Sequence, residues 1–367
     1  MQVFTATDAA SWDAFLARQP FRPFLQSWTM GEVYRDTNQE PIRLEVREGS
    51  EIQAVCLAIV VHARRGRHLM IPYGPVVSRK QTAESSAQIV EMLLEELMRI
   101  ARGQGCAFIR MSPFWPLTAD CSLRTAISSP LHLLAEHLWY LPLVKPDPWS
   151  PELQASSYQL QARTEEQLLM AMRKTTRNLI RRAEKDGVTV EASADPNRDI
   201  EHFLALHEET RQRHGFTPYT NAFFRAQVRR FAERKECTLY LARFQGEVAA
   251  ASIHMHAFGE TSYHHGASTH RLSKVPTSYL LQWTAIRDAL KRGDRVYNFW
   301  GIAPVTLDAD GAPTITDHNH PFSGVTLFKT GFGGSLLPLA HCMDFPLSAR
   351  YHFTRAFELI RKWRRGF

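Results

Sequence analysis

Three groups of residues in this chain have types and spacings that could do chemistry. The first is Ser323-Gly324-Val325-Thr326-Leu327-Phe328-Lys329-Thr330-Gly331-Phe332-Gly333-Gly334, which follows Tyr297-Asn298-Phe299-Trp300-Gly301-Ile302. Three glycines within four residues demand backbone conformations that other residues resist, or close approach by a ligand. Lys329 stands among apolar neighbours in what reads as a strand, so its amine must reach solvent or face a polar site. The second group is Arg173, Lys174, Arg177, Arg181, Arg182 and Lys185, with Glu184 as the one local offset. On a helix, 173, 177 and 181 share a face. A solvated basic face accounts for them, and so does a phosphate-tracking surface for RNA or a pyrophosphate. The preponderance of Arg favours bidentate phosphate contacts. The third group is His254, His256, His264, His265, His270, His318 and His320. There is no H-E-x-x-H and no helical carboxylate at metal-ligand spacing, so polar strand and loop positions are expected and no metal.

Composition narrows the partners. The 367 residues are 44% hydrophobic and 22% charged, which suits a globular protein of about two domains. Lys and Arg number 44 against 37 Asp and Glu, a balance of +7 that permits an anionic partner without requiring one. The five cysteines form no C-x-x-C pair, so neither a disulfide framework nor a thiolate zinc site is expected. The longest clean apolar run, residues 54–61, suits a buried strand and is too short for a bilayer. The N-terminal residues carry no secretory pattern, and a cytoplasmic chain is expected.

The elements that must hold these groups alternate between strands and helices. Strands are predicted at 42–46, 52–61, 69–71 and 106–111, with an amphipathic helix over 83–102 stopped by Gly103-Gln104-Gly105. Proline density after 113 places a domain boundary near Ser150. Beyond it the pattern predicts helices over 165–185, 199–215, 222–233 and 276–292, and a strand over 295–299. A hairpin over 239–257 turns at Gln245-Gly246. A last helix covers 349–365 and ends in a basic cluster, which favours either its own C-terminal carbonyls or an anionic membrane surface. The fold class is α/β (α+β), built from two modules of similar rhythm. No G-x-x-x-x-G-K-[ST], G-x-G-x-x-G or G-x-S-x-G is present, so nucleotide hydrolysis, dinucleotide chemistry and a serine-hydrolase elbow lack support.

The stretches 177–188, 207–216, 263–268, 297–302 and above all Phe328-Lys329-Thr330-Gly331-Phe332-Gly333-Gly334 resemble the FemABX enzymes of peptidoglycan branching, the Fem family of non-ribosomal peptidyltransferases. The resemblance implies two acetyltransferase-like (GNAT-like) domains in tandem. Residues 1–150 plus 336–367 would bind the precursor, and 151–335 would serve the aminoacyl-tRNA. It implies transfer of an amino acid from aminoacyl-tRNA to a stem-peptide amine of a lipid-linked or nucleotide-linked precursor, without a cofactor. It makes Lys329, with Phe328 beside it, the catalytic pair. It assigns substrate contacts to Arg213, Tyr219, Tyr263 and Trp300.

Two positions depart from the family pattern. Where members carry a Lys after the Gln26-Ser27-Trp28 stretch, this chain has Tyr34, with Arg35 next as a substitute for holding pyrophosphate. Where members often carry an Asp, it has Ser112. The coiled-coil arm of longer members is absent. A small-peptide acceptor in secondary metabolism and an acyl-coenzyme A N-acyltransferase on the same fold are the competing activities. A monomer with peripheral contact at the inner leaflet is expected.

Overall fold

The computed structural model describes residues 1–63, 66–117, 123, 125–149, 159–214, 219–309 and 311–365. The chain divides into two compact units, Met1–Glu136 with Pro338–Phe367, and His137–Leu337. The first unit opens with β1 (Gln2–Thr5), α1 (Ala9–Ala17) and α2 (Trp28–Asp36). An antiparallel meander follows, β2 (Pro41–Glu48), β3 (Glu51–Ala63) and β4 (Gly66–Pro72), with β5 (Val76–Val77) returning to β3. The helix α3 (Ala83–Gly103) crosses over to β6 (Phe108–Ser112), which runs parallel to β4, and β7 (Ile127–Ser128) follows. The α3 stripe of Ile89, Leu93 and Leu97 is fully buried against the sheet. Its start is capped by Thr82, and its end turns at Gly105 with φ +67°, as the glycines predict.

The second unit repeats this order. It begins with β8 (His137–Pro142), β9 (Val144–Lys145) and β10 (Gln161–Ala162). Next come α4 (Glu165–Ala171), α5 (Lys174–Lys185), β11 (Thr189–Ala192), α6 (Pro196–His214) and α7 (Asn221–Glu233). The meander is β12 (Cys237–Phe244), β13 (Glu247–Ala257) and β14 (Glu260–Ser268), the crossover α8 (Thr277–Arg292), and the parallel strand β15 (Val296–Gly301). Then follow β16 (Val305–Leu307), β17 (Pro313–Ile315), α9 (Ser323–Thr330) and β18 (Ser335–Pro338). The β12–β13 turn holds Gln245 and Gly246 at φ +51° and +84°, a type I′ hairpin. The chain then returns to the first unit as β19 (Met343–Pro346) and α10 (Arg350–Arg365).

In each unit the parallel strand gains one more antiparallel neighbour from a distant part of the chain. It is β19 on β6 in the first, and β8 on β15 in the second. Because β8 belongs to this second sheet, the second unit takes up the chain at His137, ahead of Ser150. The long predicted helix over 165–185 is two helices. Met172 leaves α4 in extended backbone, and the Arg173 amide donates to the Gly331 carbonyl at 2.9 Å rather than to its own helix.

Glu136 joins the two ends of the first unit's chain. Its carboxylate lies 2.9 Å from His341 Nδ1 and accepts the Cys342 amide at 3.0 Å, while His341 Nε2 donates to the Ser129 carbonyl. Burial opposes the charge, but the imidazoles of His132 and His341 and the Cys342 amide outweigh it and hold Glu136 at about 2. The same carboxylate raises His341 above the ordinary imidazole value. A raised imidazole contributes stability in full below about 6.5 and loses it as pH rises through the folded value. A lowered carboxylate contributes above about 4.5 and loses its share as pH falls towards 2. Thermal melts across pH should therefore show this pair's contribution greatest between those limits. In His341→Gln the loss on the alkaline side should vanish; a profile that merely shifts downward in parallel would refute the coupling.

Candidate functional site

The residue with the most unusual surroundings is Lys329. Its backbone lies in α9, a helix rather than the strand that Val325, Thr326 and Leu327 suggest. The β-branched run is overridden by tertiary bonds. Thr326 Oγ1 donates to the Phe322 carbonyl at 2.7 Å and accepts the Ala303 amide at 2.8 Å. Thr330 Oγ1 donates to the Thr326 carbonyl. The Lys329 side chain is only 7% exposed. Its Nζ donates to the Gly301 carbonyl at 2.6 Å and lies 5.6 Å from the centre of the Tyr263 ring. Burial without a carboxylate partner pulls its amine down to about 7. An ammonium has three N–H donors, and one is spent on Gly301.

The two strands beside this amine part company. β14 and β15 pair in parallel from Glu260↔Val296 to Ser262↔Asn298, where the register ends. The β13 register then shifts between Ile253 and His254, so that His264 is the extra residue of β14. The β8 register shifts between Asn298 and Gly301, making Phe299 and Trp300 a bulge in β15. Trp300 sits at φ +69°, a left-handed conformation that costs a residue with a large side chain roughly 1–3 kcal/mol. Its amide donates to Asn298 Oδ1 at 2.8 Å, and its ring meets His264 edge-on at 4.8 Å. The bulge is what turns the Gly301 carbonyl to Lys329. Tyr263, Trp300, Gly301 and Lys329 thus form one constellation, at the mouth of two diverging strands.

Two arginines from the basic group hold this constellation in place. Arg173 donates 2.6 Å bonds to the Leu327 carbonyl and to Thr330 Oγ1, at the C-terminal end of α9. A guanidinium there also suits the negative end of the helix dipole. Arg177 donates to the carbonyls of Leu169, Met170 and Met172, closing the break between α4 and α5. Both bond the protein's own oxygens, Arg173 from an exposed position and Arg177 from a half-buried one. Lys174, Arg181 and Lys185 remain exposed on α5, and Arg182 pairs with Asp186 at 3.2 Å. The glycines after Lys329 serve close packing of the protein on itself. A Cβ on Gly331 would strike Thr176, and one on Gly334 would strike the Tyr140 carbonyl oxygen. Phe328 turns into the aromatic core, edge-on to Tyr279 at 4.9 Å and Phe332 at 5.4 Å.

The other expected contacts fall elsewhere. Tyr219 is half-exposed and stacks on Phe223 at 4.4 Å, with His265 edge-on at 5.8 Å. The Arg213 side chain lies outside the described residues. In the first unit Tyr34 is buried, and Arg35 is bound by Glu32 at 2.6 Å and Glu40 at 2.9 Å. Ser112 is buried. The Gln26 side chain bonds the backbone of Leu57 in both directions and the Pro72 carbonyl, so this stretch is architecture. His256 spends both ring nitrogens on Thr238 and Thr261. His254, pulled to about 3 by burial, bonds the Tyr297 hydroxyl, which donates to Gln282. Arg173 was legible in the sequence as a cation; its structural partners were not.

Among known proteins, the FemAB family profile matches residues 7–247 and 241–358. The crystal structure of FemX is similar over 98% of this chain and 100% of its own, with a TM-score of 0.74 and 16% identity. A tandem GNAT protein from the clavulanic acid biosynthesis pathway is similar over 95% of this chain and 98% of its own, with a TM-score of 0.53 and 12% identity. At these identities the likeness concerns the fold, which is that of two acetyltransferase-like modules in tandem. No curated protein matches the chain.

Two glycines near Lys329 make a controlled comparison. Gly334→Ala must relieve a backbone clash and a φ of +112°, and should cost about 3 kcal/mol. Gly324→Ala meets nothing within 4 Å on a helix and should stabilise by up to about 1 kcal/mol. Denaturant melts of both variants measure the difference; equal midpoints would show that close packing is not what the Gly-Phe-Gly-Gly segment supplies.

Proposed function

The chain belongs to the FemAB family, and on that footing we propose that it transfers an aminoacyl group from aminoacyl-tRNA to an amine on the stem peptide of a peptidoglycan precursor. The observation that carries this reading is Lys329, a buried amine poised near neutrality with donors left over. The acceptor nitrogen attacks the ester carbonyl of the charged tRNA. The carbonyl oxygen becomes an oxyanion, and the Lys329 ammonium stabilises it in a site shielded from water. The ester C–O bond then breaks as the amide forms. The proton lost by the amine ends on the released ribose hydroxyl. The ester is already activated, so positioning and charge stabilisation are the whole demand.

Tyr263 and Trp300 border the reacting carbonyl in this reading, and Arg173 is a positioning residue acting through α9. The exposed Lys174, Arg181 and Lys185 receive tRNA phosphates, with Arg182 at their edge. Phe328 supports the helix from behind. The first unit, Met1–Glu136 with Pro338–Phe367, holds the precursor, and the second, His137–Leu337, serves the aminoacyl-tRNA. Arg213 and Tyr219 contact substrate. Since Arg35 is spent on two glutamates and Tyr34 is buried, neither grips a pyrophosphate as placed. The chain works as a monomer in the cytoplasm, at the inner face of the plasma membrane.

The direct test follows labelled amino acid from charged tRNA into precursor, with acceptors that carry or lack the diphosphate. Lys329→Met should lower turnover by about 10²-fold or more, as loss of an oxyanion donor does. It should leave stability equal or improved, because it removes a buried cation without leaving a hole. A melted variant would make Lys329 structural, and unchanged turnover would remove it from the chemistry. The ammonium is the active form, so the wild-type rate should fall as pH rises through about 7, set against the opposite demand for a free acceptor amine. That alkaline limb should be missing from the residual activity of Lys329→Met. For tRNA affinity, Lys174→Ala and Arg181→Ala should each reduce the slope of log affinity against log salt by about 0.7–1. Slopes equal to wild type would move the tRNA surface elsewhere.

A further inference from the structure

The last helix is inside out. Tyr351, Arg355 and Glu358 face the rest of the first unit, and large apolar side chains of the helix face water. Glu358 and Asp344 share the Arg110 guanidinium, with bonds of 2.7 to 3.0 Å to each carboxylate. The Tyr351 hydroxyl donates to Asp344, and Arg355 donates to the Ser128 carbonyl at 2.7 Å. Opposite this polar seam stand Phe353, Leu359, Ile360 and Trp363, exposed by 80%, 46%, 52% and 83%. At the helical pitch they fill one arc of about 120°. Arg350 and Arg361 border the arc on one side, while Lys362 continues the stripe of Tyr351, Arg355 and Glu358. The one acid between 350 and 367, Glu358, is turned inward on Arg110. The outward face is therefore apolar in the middle, cationic at the Arg350–Arg361 margin and free of negative charge.

Water does not favour such a face. Each exposed side chain of this size forgoes part of the free energy of burial. We propose that α10 lies flat on an anionic lipid surface, with Phe353, Ile360 and Trp363 among the acyl chains and Arg350 and Arg361 at the phosphates. Aromatic and aliphatic residues on one face with flanking cations are what an interfacial helix needs. Charge decides against a second copy of this chain, because a two-fold contact would oppose two faces that each carry Arg350 and Arg361 and no acid. Among the described residues no helix is long and apolar enough to cross a membrane, so the contact is peripheral. The placement at the inner leaflet belongs to the functional reading above; the element that makes it rests on the inverted helix alone, and its test needs no substrate.

Flotation of the full chain with phosphatidylglycerol-containing vesicles, against phosphatidylcholine vesicles, measures it. The chain should float with the first, less so in high salt, and weakly with the second. Phe353→Ser, Ile360→Ser and Trp363→Ser together should reduce partitioning by at least about tenfold. The melting midpoint should hold, because these side chains have left the fold already. Arg350→Glu with Arg361→Glu should abolish the preference for anionic lipid. Three results would overturn the proposal. They are no binding to anionic vesicles, binding that survives the triple substitution, or a wild-type dimer in sedimentation that the same substitution dissociates. A protein that floats but fails to transfer amino acids would overturn the enzymatic reading and leave this one standing.

Discussion

The bond from Lys329 Nζ to the Gly301 carbonyl is the constraint on which the site depends. A lysine amine inside a protein carries a desolvation cost that a single carbonyl does not offset, and its value of about 7 registers the imbalance. The fold holds the amine there by fixing both ends. β15 bulges at Phe299–Trp300, with Trp300 left-handed, so that Gly301 presents its carbonyl. α9 is bound at its C-terminal end by Arg173, so that Lys329 presents its amine. Strain at one partner and desolvation at the other occur at the same contact. Such a pairing is characteristic of a site organised for chemistry rather than for stability.

The segment after Lys329 extends the same constraint. Gly331, Gly333 and Gly334 let the backbone run against Thr176, Ala171 and Tyr140 respectively. The Gly333 carbonyl accepts Trp139 Nε1 at 2.8 Å. The helix of Lys329 is thus fixed against α4, α5 and β8 in one short run. What looks in sequence like a ligand cradle is a clamp on the backbone.

Much of the fold was legible in the sequence, and its limits have physical causes. The amphipathic helix over 83–102, its glycine stop, and the Gln245-Gly246 hairpin followed from local pattern, and local forces decide them. Lys329 could be singled out because a charged residue among apolar ones must have a destination. Its secondary structure could not, since Val325 and Thr326 favour a strand until the Ala303 amide and Phe322 carbonyl bind Thr326. The break at Met172 was invisible for a similar reason: the partner that ends α4 is Gly331, some 160 residues away in sequence. The basic stripe was visible as composition, but cations that bond the protein's own carbonyls and cations that do not look alike in sequence. Only the positions of carbonyls separate Arg173 and Arg177 from Lys174 and Arg181.

The C-terminal helix shows the same ambiguity with the opposite sign. Its pattern is amphipathic, and the ordinary inference places the apolar stripe on the core. Here that inference fails because Arg110, buried in β6, must be neutralised. A guanidinium 6% exposed requires carboxylates on every accessible side. Asp344 supplies one from β19, and Glu358 the other from α10. Once Glu358 is committed to that bond, the rotation of the helix about its axis is fixed. Phe353, Ile360 and Trp363 have no option but to face outward. An electrostatic demand inside the sheet therefore determines which hydrophobic face the protein offers to its surroundings.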